Sequence, residues 1–203
     1  MKIYKQLLVF IALLVGCHSE QILTYEMGYS YCKKIFDDNG GTGIYPRSNC
    51  LEGFNLPNFN AVTTLNDSIN AHSLKGKPTV INLWFVGCPP CEAEVPGLNQ
   101  LANRYQEKAN FIAIGRNSDK YLNEFLELNE WNFKHINDPD EEIIRNSFNN
   151  VWGFPTTFIA DKEGKIVKVF SGGKTDSTAV QTIINEIEPT LKELIFKNPA
   201  DNK

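Results

Sequence analysis

Pro78-Thr-Val-Ile-Asn-Leu-Trp-Phe-Val-Gly-Cys-Pro-Pro-Cys-Glu-Ala-Glu-Val-Pro-Gly-Leu-Asn-Gln-Leu101 is the stretch from which the rest of the chain can be read. The apolar, β-branched run Thr79 to Val86 has the length of a buried strand, and Gly87 stops it just before two cysteines. After Cys91 the period changes: Val95, Leu98, Leu101, Ala102 and Tyr105 recur at helical spacing. A strand therefore hands over to a helix whose first turn carries Cys88-Pro-Pro-Cys91, with both cysteines on one side. Thiol chemistry suits this place, because the thiolate is the nucleophile and a helix N-terminus stabilises negative charge. Cys88, the more exposed, is expected to attack, and Cys91 to resolve the mixed disulfide. Pro89 and Pro90 fit a first turn, where their missing N–H groups would have no intrahelical partner. The competing reading is a structural or zinc-binding C-x-x-C. Zinc needs two further ligands at related spacing, and no His or Cys follows Cys91 within that distance.

Further motifs join this one: Leu74-Lys-Gly-Lys-Pro78 before the strand, Asn82-Leu-Trp-Phe85 within it, Glu94 and Pro96 in the helix, and Gly153-Phe-Pro-Thr-Thr-Phe158 far downstream. Together they resemble the thioredoxin superfamily and, within it, the membrane-facing TlpA/ResA-like thiol-disulfide oxidoreductases, over about residues 54–196. The resemblance implies a thioredoxin-like α/β fold with a central mixed sheet flanked by helices. It implies a redox-active Cys88–Cys91 disulfide with no other cofactor and no metal. It also departs at one point, since Gly87 stands where such proteins usually carry Trp. By the same resemblance Glu94 sits beneath the cysteine pair; burial there would raise its pKa and let it relay the Cys91 proton. A solvated helix glutamate is the alternative, and Glu92 is its exposed neighbour. The strand acid of thioredoxin is replaced by Asn82, which cannot take a proton. Pro155 matches the cis-proline loop that faces the cysteines, leaving backbone beside Phe154 free to pair with an extended substrate segment. An ordinary trans proline opening a strand is the alternative.

The chain has 203 residues. Residues 1–16 have a basic start (Lys2, Lys5), an apolar centre from Leu7 to Val15, and read as an export signal. Leu14-Val-Gly-Cys17 resembles the lipobox of bacterial lipoproteins, which implies cleavage before Cys17, its lipidation, and tethering to a membrane on the periplasmic side of the cell envelope. A plain signal peptide or an uncleaved anchor is the alternative. His18 is not the Asp associated with inner-membrane retention, which leans to the outer membrane. With Cys17 assigned to lipid, four of the five cysteines remain, and the C-x-x-C pair leaves Cys32 to join Cys50 in an oxidising compartment. Such a loop closure stabilises by about 3 kcal/mol in the chain-entropy model. A second redox pair is the alternative there. Residues 17–53 are expected to be an ordered extension pinned by that disulfide, with Tyr25, Tyr29, Tyr31 and Tyr45 as an aromatic patch. Residues 54–196 would form the thioredoxin-like domain and 197–203 a tail. Formal net charge is −4, or −6 once Lys2 and Lys5 are removed, and no basic patch argues for nucleic acid.

Beyond the active-site helix, Phe111 to Gly115 reads as a second buried strand, and Tyr121, Phe125 and Leu128 space a helix. Asp138-Pro-Asp-Glu-Glu predicts another helix start. Thr156–Ala160 and Lys165–Phe170 flank Asp161-Lys-Glu-Gly164 as a hairpin, and 177–196 forms a closing helix interrupted at Pro189. Trp84 is expected in the core, and His18, His72 and His135 at the surface. Two prolines between the cysteines remove backbone donors from the Cys88 thiolate, and no His lies there. Both features favour a reductant of exported protein disulfides, fed by an upstream membrane thiol donor, over a disulfide-forming oxidase. A thioredoxin-fold copper-delivery protein would space its cysteines by three residues and add a downstream His, and a non-catalytic binding lipoprotein would not need both cysteines.

Overall fold

The computed structural model describes residues 23–41 and 47–196. The export signal, Cys17, His18, Tyr45 and the 197–203 tail lie outside the described residues. Helix α1 (Tyr25–Asp38) comes first, capped by the Thr24 side chain. A 3₁₀ turn (Ser48–Leu51) follows, and then the short strands β1 (Asn60–Val62) and β2 (Ser68–Asn70), which pair antiparallel. Next come β3 (Thr79–Trp84), α2 (Pro89–Tyr105), β4 (Asn110–Gly115), α3 (Asp119–Leu128) and β5 (Lys134–Asn137). A π-helical turn (Glu142–Ser147), β6 (Thr156–Ala160), β7 (Ile166–Ser171) and α4 (Ala179–Phe196) complete the chain.

The main sheet has the order β5-β4-β3-β6-β7. β3 runs parallel to β4, and β4 to β5, while β6 is antiparallel to both β3 and β7. β3 is central, and all six of its residues are buried, which is why its sequence is a nearly unbroken apolar run rather than an alternation. Its side chains alternate between two cores. Val80 and Trp84 pack with Val95, Leu98 and Leu101 of α2 and Ile183 and Ile187 of α4. Ile81 and Leu83 face Ile112, Ile114, Phe148 and Phe158 on the other side. The thioredoxin-like mixed sheet covered on both faces is therefore present.

The extension builds much of the second face. Tyr25 is fully buried, its hydroxyl donating to the Phe148 carbonyl at 2.6 Å and its ring edge-on to Phe148. Cys32 is bonded to Cys50, with Cα atoms 5.5 Å apart, tying α1 to the 3₁₀ turn. From there the chain runs along β7. Gly53 N–H donates to the Ile166 carbonyl, Ile166 N–H to the Phe54 carbonyl, both at 2.8 Å, and Val169 N–H to Glu52 Oε1 at 3.3 Å. Tyr29 stacks edge-on to Trp152, and Tyr31 tilts against Phe54. Tyr25, Tyr29 and Tyr31 thus each meet a different aromatic partner, Phe148, Trp152 and Phe54.

Several elements depart from the sequence reading. β5 was not anticipated, and it carries His135 into the interior opposite Ala113, edge-on to the rings of both Trp84 and Trp131, so this histidine is buried rather than at the surface. α3 forms where expected but turns Leu122, Phe125 and Leu126 inward, leaving Tyr121 59% and Leu128 85% exposed. The Asp138 segment makes only one wide turn, whose first N–H groups, on Ile143 and Ile144, donate to the Asp138 carboxylate. α4 continues through Pro189 without interruption.

Candidate active site

The site lies where β3 ends and α2 begins. Cys88 is the N-cap of α2, with Pro89 and Pro90 at its first positions, and is disulfide-bonded to Cys91. In this oxidised state both cysteines are nearly enclosed, Cys88 being 3% and Cys91 1% exposed. The Cys88 amide donates to the Phe85 carbonyl at 3.2 Å, and the Glu92 amide donates to the Cys88 carbonyl at 3.0 Å. Because residues 89 and 90 have no N–H, the amide of Cys91 is the first of the helix start left to face a Cys88 thiolate. Gly87 has φ of +89°, a conformation glycine takes freely, and its amide donates to Glu92 Oε1 at 2.7 Å. Glu92 is therefore engaged in closing the entry turn of the helix.

Glu94, one turn beyond Cys91, is buried at 3% exposure, and its Oε2 has no hydrogen-bond partner among the described residues. Burial pushes its carboxyl up to about 8. A turn that sequence reasoning passed over covers it. Gly172 N–H donates to the Pro155 carbonyl at 2.8 Å, and at Gly173 an added Cβ would collide with Glu94 Oε1 and stand 3.3 Å from Pro90 Cβ. Only a residue without a side chain fits there. The Ser171-Gly-Gly-Lys174 run after a strand was the available signal. A surface cavity of about 350 Å³ adjoins Glu94, lined also by Ser171, Gly173, Thr182 and Glu186.

On β3, Asn82 is buried and donates through Nδ2 to Thr157 Oγ1 at 3.0 Å, while its Oδ1 is unpartnered among the described residues. Trp84 is fully buried, 4.4 Å between ring centroids from Trp131, and belongs to the core beneath the site. The Phe154–Pro155 bond is cis. Pro155 is buried and Phe154 half-buried, its ring edge-on to Phe85 at 5.3 Å. The loop is held from behind by hydroxyls: Thr156 Oγ1 donates to the Gly153 carbonyl at 2.8 Å and sits 3.1 Å from Ser171 Oγ, which lies 3.2 Å from Ser48 Oγ. Cys32 and Cys50 form their own disulfide in the extension, apart from the pair in α2. Among the described residues no three His, Cys, Asp or Glu side chains come together as metal ligands.

Residues 53–169 match the AhpC/TSA family. The chain is 33% identical over 156 residues to thiol-disulfide oxidoreductase ResA of Bacillus thuringiensis (strain Al Hakam), covering 76% of this chain and 84% of that protein. It is 28% identical over 170 residues to thiol-disulfide oxidoreductase ResA of Bacillus subtilis (strain 168), covering 83% of this chain and 89% of that one. Among solved structures, a secreted disulfide oxidoreductase of Mycobacterium tuberculosis superposes with a TM-score of 0.54 at 26% identity, over 64% of this chain and 95% of that one.

Proposed function

Because this chain belongs to the AhpC/TSA family, we propose that it is a thiol-disulfide oxidoreductase working through Cys88 and Cys91, with Glu94 as the proton acceptor. The observation that carries this reading is a redox pair at the start of a helix with a buried, incompletely partnered carboxyl one turn further along the same helix. In the reduced protein the Cys88 thiolate attacks one sulfur of a substrate disulfide, forming a mixed disulfide and releasing the other sulfur as thiolate. Cys91 gives its proton to Glu94, and the Cys91 thiolate attacks Cys88 Sγ. The substrate leaves as two thiolates, which take protons from water; the protein, two electrons poorer, is left with the Cys88–Cys91 disulfide, and Glu94 keeps the proton from Cys91. A carboxyl with its pKa near 8 holds that proton at neutral pH in the oxidised form and returns it to Cys91 when the pair is reduced again.

Phe154 and cis Pro155 serve as the edge to which an extended substrate segment adds. The direction is reductive: the two prolines leave the Cys88 thiolate few backbone donors, and a less stabilised thiolate goes with a less oxidising disulfide. The substrates are exported proteins with unwanted disulfides, and the electrons come from an upstream thiol donor in the membrane. A lipid on Cys17 holds the enzyme at the cell envelope, as the lipobox-like Leu14-Val-Gly-Cys17 suggests.

Two measurements test this. Equilibrium titration of the Cys88/Cys91 pair should give a potential nearer to about −270 mV than to about −120 mV; a value at the oxidising end reverses the direction. Cys91→Ala should trap mixed disulfides with exported proteins, detectable by mass spectrometry, whereas Cys88→Ala should not. Trapping by neither variant would remove the exchange reading altogether.

A further inference from the structure

We propose that Arg116 determines which disulfides are exchanged, by receiving a carboxylate that flanks the target cysteine of the substrate protein; this rests on the exchange chemistry above. Arg116 directly follows β4 and is laced to the segment that leads into Cys88. Its amide donates to the Trp84 carbonyl at 3.3 Å, and the neighbouring Asn117 Oδ1 accepts from the Val86 amide at 2.6 Å. The guanidinium carbon lies 4.2 Å from the centre of the Phe85 ring and 5.0 Å from that of Phe154. These are the residue whose carbonyl holds the Cys88 amide and the residue that enters the cis bond to Pro155. The cation therefore sits on a two-ring platform that joins both sides of the exchange site.

Aromatic faces stabilise a guanidinium without neutralising it. Its nearest carboxylate oxygen, Glu141 Oε1, is 3.9 Å away, too long for a hydrogen bond. Glu141 is already gripped by Arg145, through Nε at 2.8 Å to Oε2 and Nη2 at 3.3 Å to Oε1. The acid closest to Cys88 in sequence, Glu92, is occupied by the Gly87 amide. Arg116 keeps 37% of its side chain exposed. It thus presents a planar donor fork, suited to two-pronged binding of a carboxylate, beside a site on a chain whose net charge of −4 otherwise disfavours acidic partners. A stack that only filled space would leave exchange indifferent to substrate charge.

The test uses the reduced full-length protein and three peptides that differ only in the residue beside one cysteine of an internal disulfide: Asp, Ser or Lys. The parent should reduce the Asp peptide about three- to tenfold faster than the Lys peptide in kcat/KM, and the ratio should shrink at high salt. Arg116→Gln should bring the Asp-to-Lys ratio close to one, and Arg116→Lys should restore part of it. Equal rates for the three peptides in the parent overturn the proposal. So does an Arg116→Gln variant, folded by its urea midpoint, that slows all three alike and keeps the ratio. If the parent reduces none of them and Cys91→Ala traps nothing, the exchange reading itself fails and this one falls with it.

Discussion

Replacing Glu94 by Gln tests the proposed proton acceptor apart from the rest of the site. The Glu94 carboxyl is pushed up from 4.5 to about 8 by burial. Between those two values the folded protein holds a proton that the unfolded chain has released. The contribution of Glu94 to folding stability therefore falls as pH rises from 4.5 and levels off above about 8. Each pH unit in that window weakens the fold by about 1.4 kcal/mol, which comes to on the order of 3 kcal/mol at pH 7. Gln cannot ionise, so the stability of the variant relative to the parent should rise through the window and be flat on either side. A buried amide left without acceptors costs about 1–3 kcal/mol, but that offset is the same at every pH. The slope is the signature. Urea midpoints of both oxidised proteins across the pH range measure it, alongside the pH profile of model-disulfide reduction, where the variant should be slower by on the order of a hundredfold. Parallel stability curves together with superimposable rate profiles would show that Glu94 is a passive helix residue and that Cys91 gives its proton directly to water.

Three further outcomes follow from the geometry. Gly173→Ala puts a methyl onto Glu94 Oε1 and Pro90; it should lower stability by about 1–3 kcal/mol and slow exchange, and an unchanged urea midpoint would mean the turn does not hold Glu94 closely. His135 has its pKa lowered from 6.5 to about 4 by burial, and its Nε2 donates to the Trp131 carbonyl at 3.2 Å. The contribution of His135 should thus be lost as pH falls from 6.5 to 4, so the stability of the parent relative to His135→Gln should fall through that window in the same denaturation series. Cys17→Ala should turn a detergent-partitioning, acylated protein into a soluble or unprocessed one, followed by fatty-acid labelling; unchanged partitioning would sink the lipid anchor.

The central strand, the active-site helix and the β6–β7 hairpin were readable because long periodic runs leave one choice of element and face. The closeness of Cys88, Cys91 and Glu94 and the cis bond at Pro155 were readable because the first three sit within seven residues and the last in a short, characteristic string. β5 was missed since Lys134-His-Ile-Asn is too short and mixed to show a period, and it is a strand because β4 offers it a free edge. The inward face of α3 was misjudged because Leu122, Phe125 and Leu126 satisfy helical spacing as well as Tyr121, Phe125 and Leu128 do. α1 gave little signal of its own, having an apolar surface that matters only once Phe148 and Phe158 are beside it. Arg116, Gly173 and Ser48 reach the site through contacts between residues far apart in the chain, which no local pattern encodes.

The strip of chain that runs beside β7 has a practical meaning for anyone who wants a smaller enzyme. The AhpC/TSA match begins at residue 53, which invites a cut there. Such a cut would remove Glu52, the acceptor for the Val169 amide, and would reduce residues 53 and 54 to a loose end. β7 would then become a bare edge, open to pairing with the β7 of another molecule, and aggregation would be the expected fate of the trimmed protein. The same cut would take away Ser48 and the last link behind Gly153, loosening the rim that carries the cis Phe154–Pro155 bond. A chain that begins before Thr24 and retains the Cys32–Cys50 bond keeps both. Grafting the extensions of relatives onto a common core would then be a way to exchange the rim while leaving Cys88, Cys91 and Glu94 untouched.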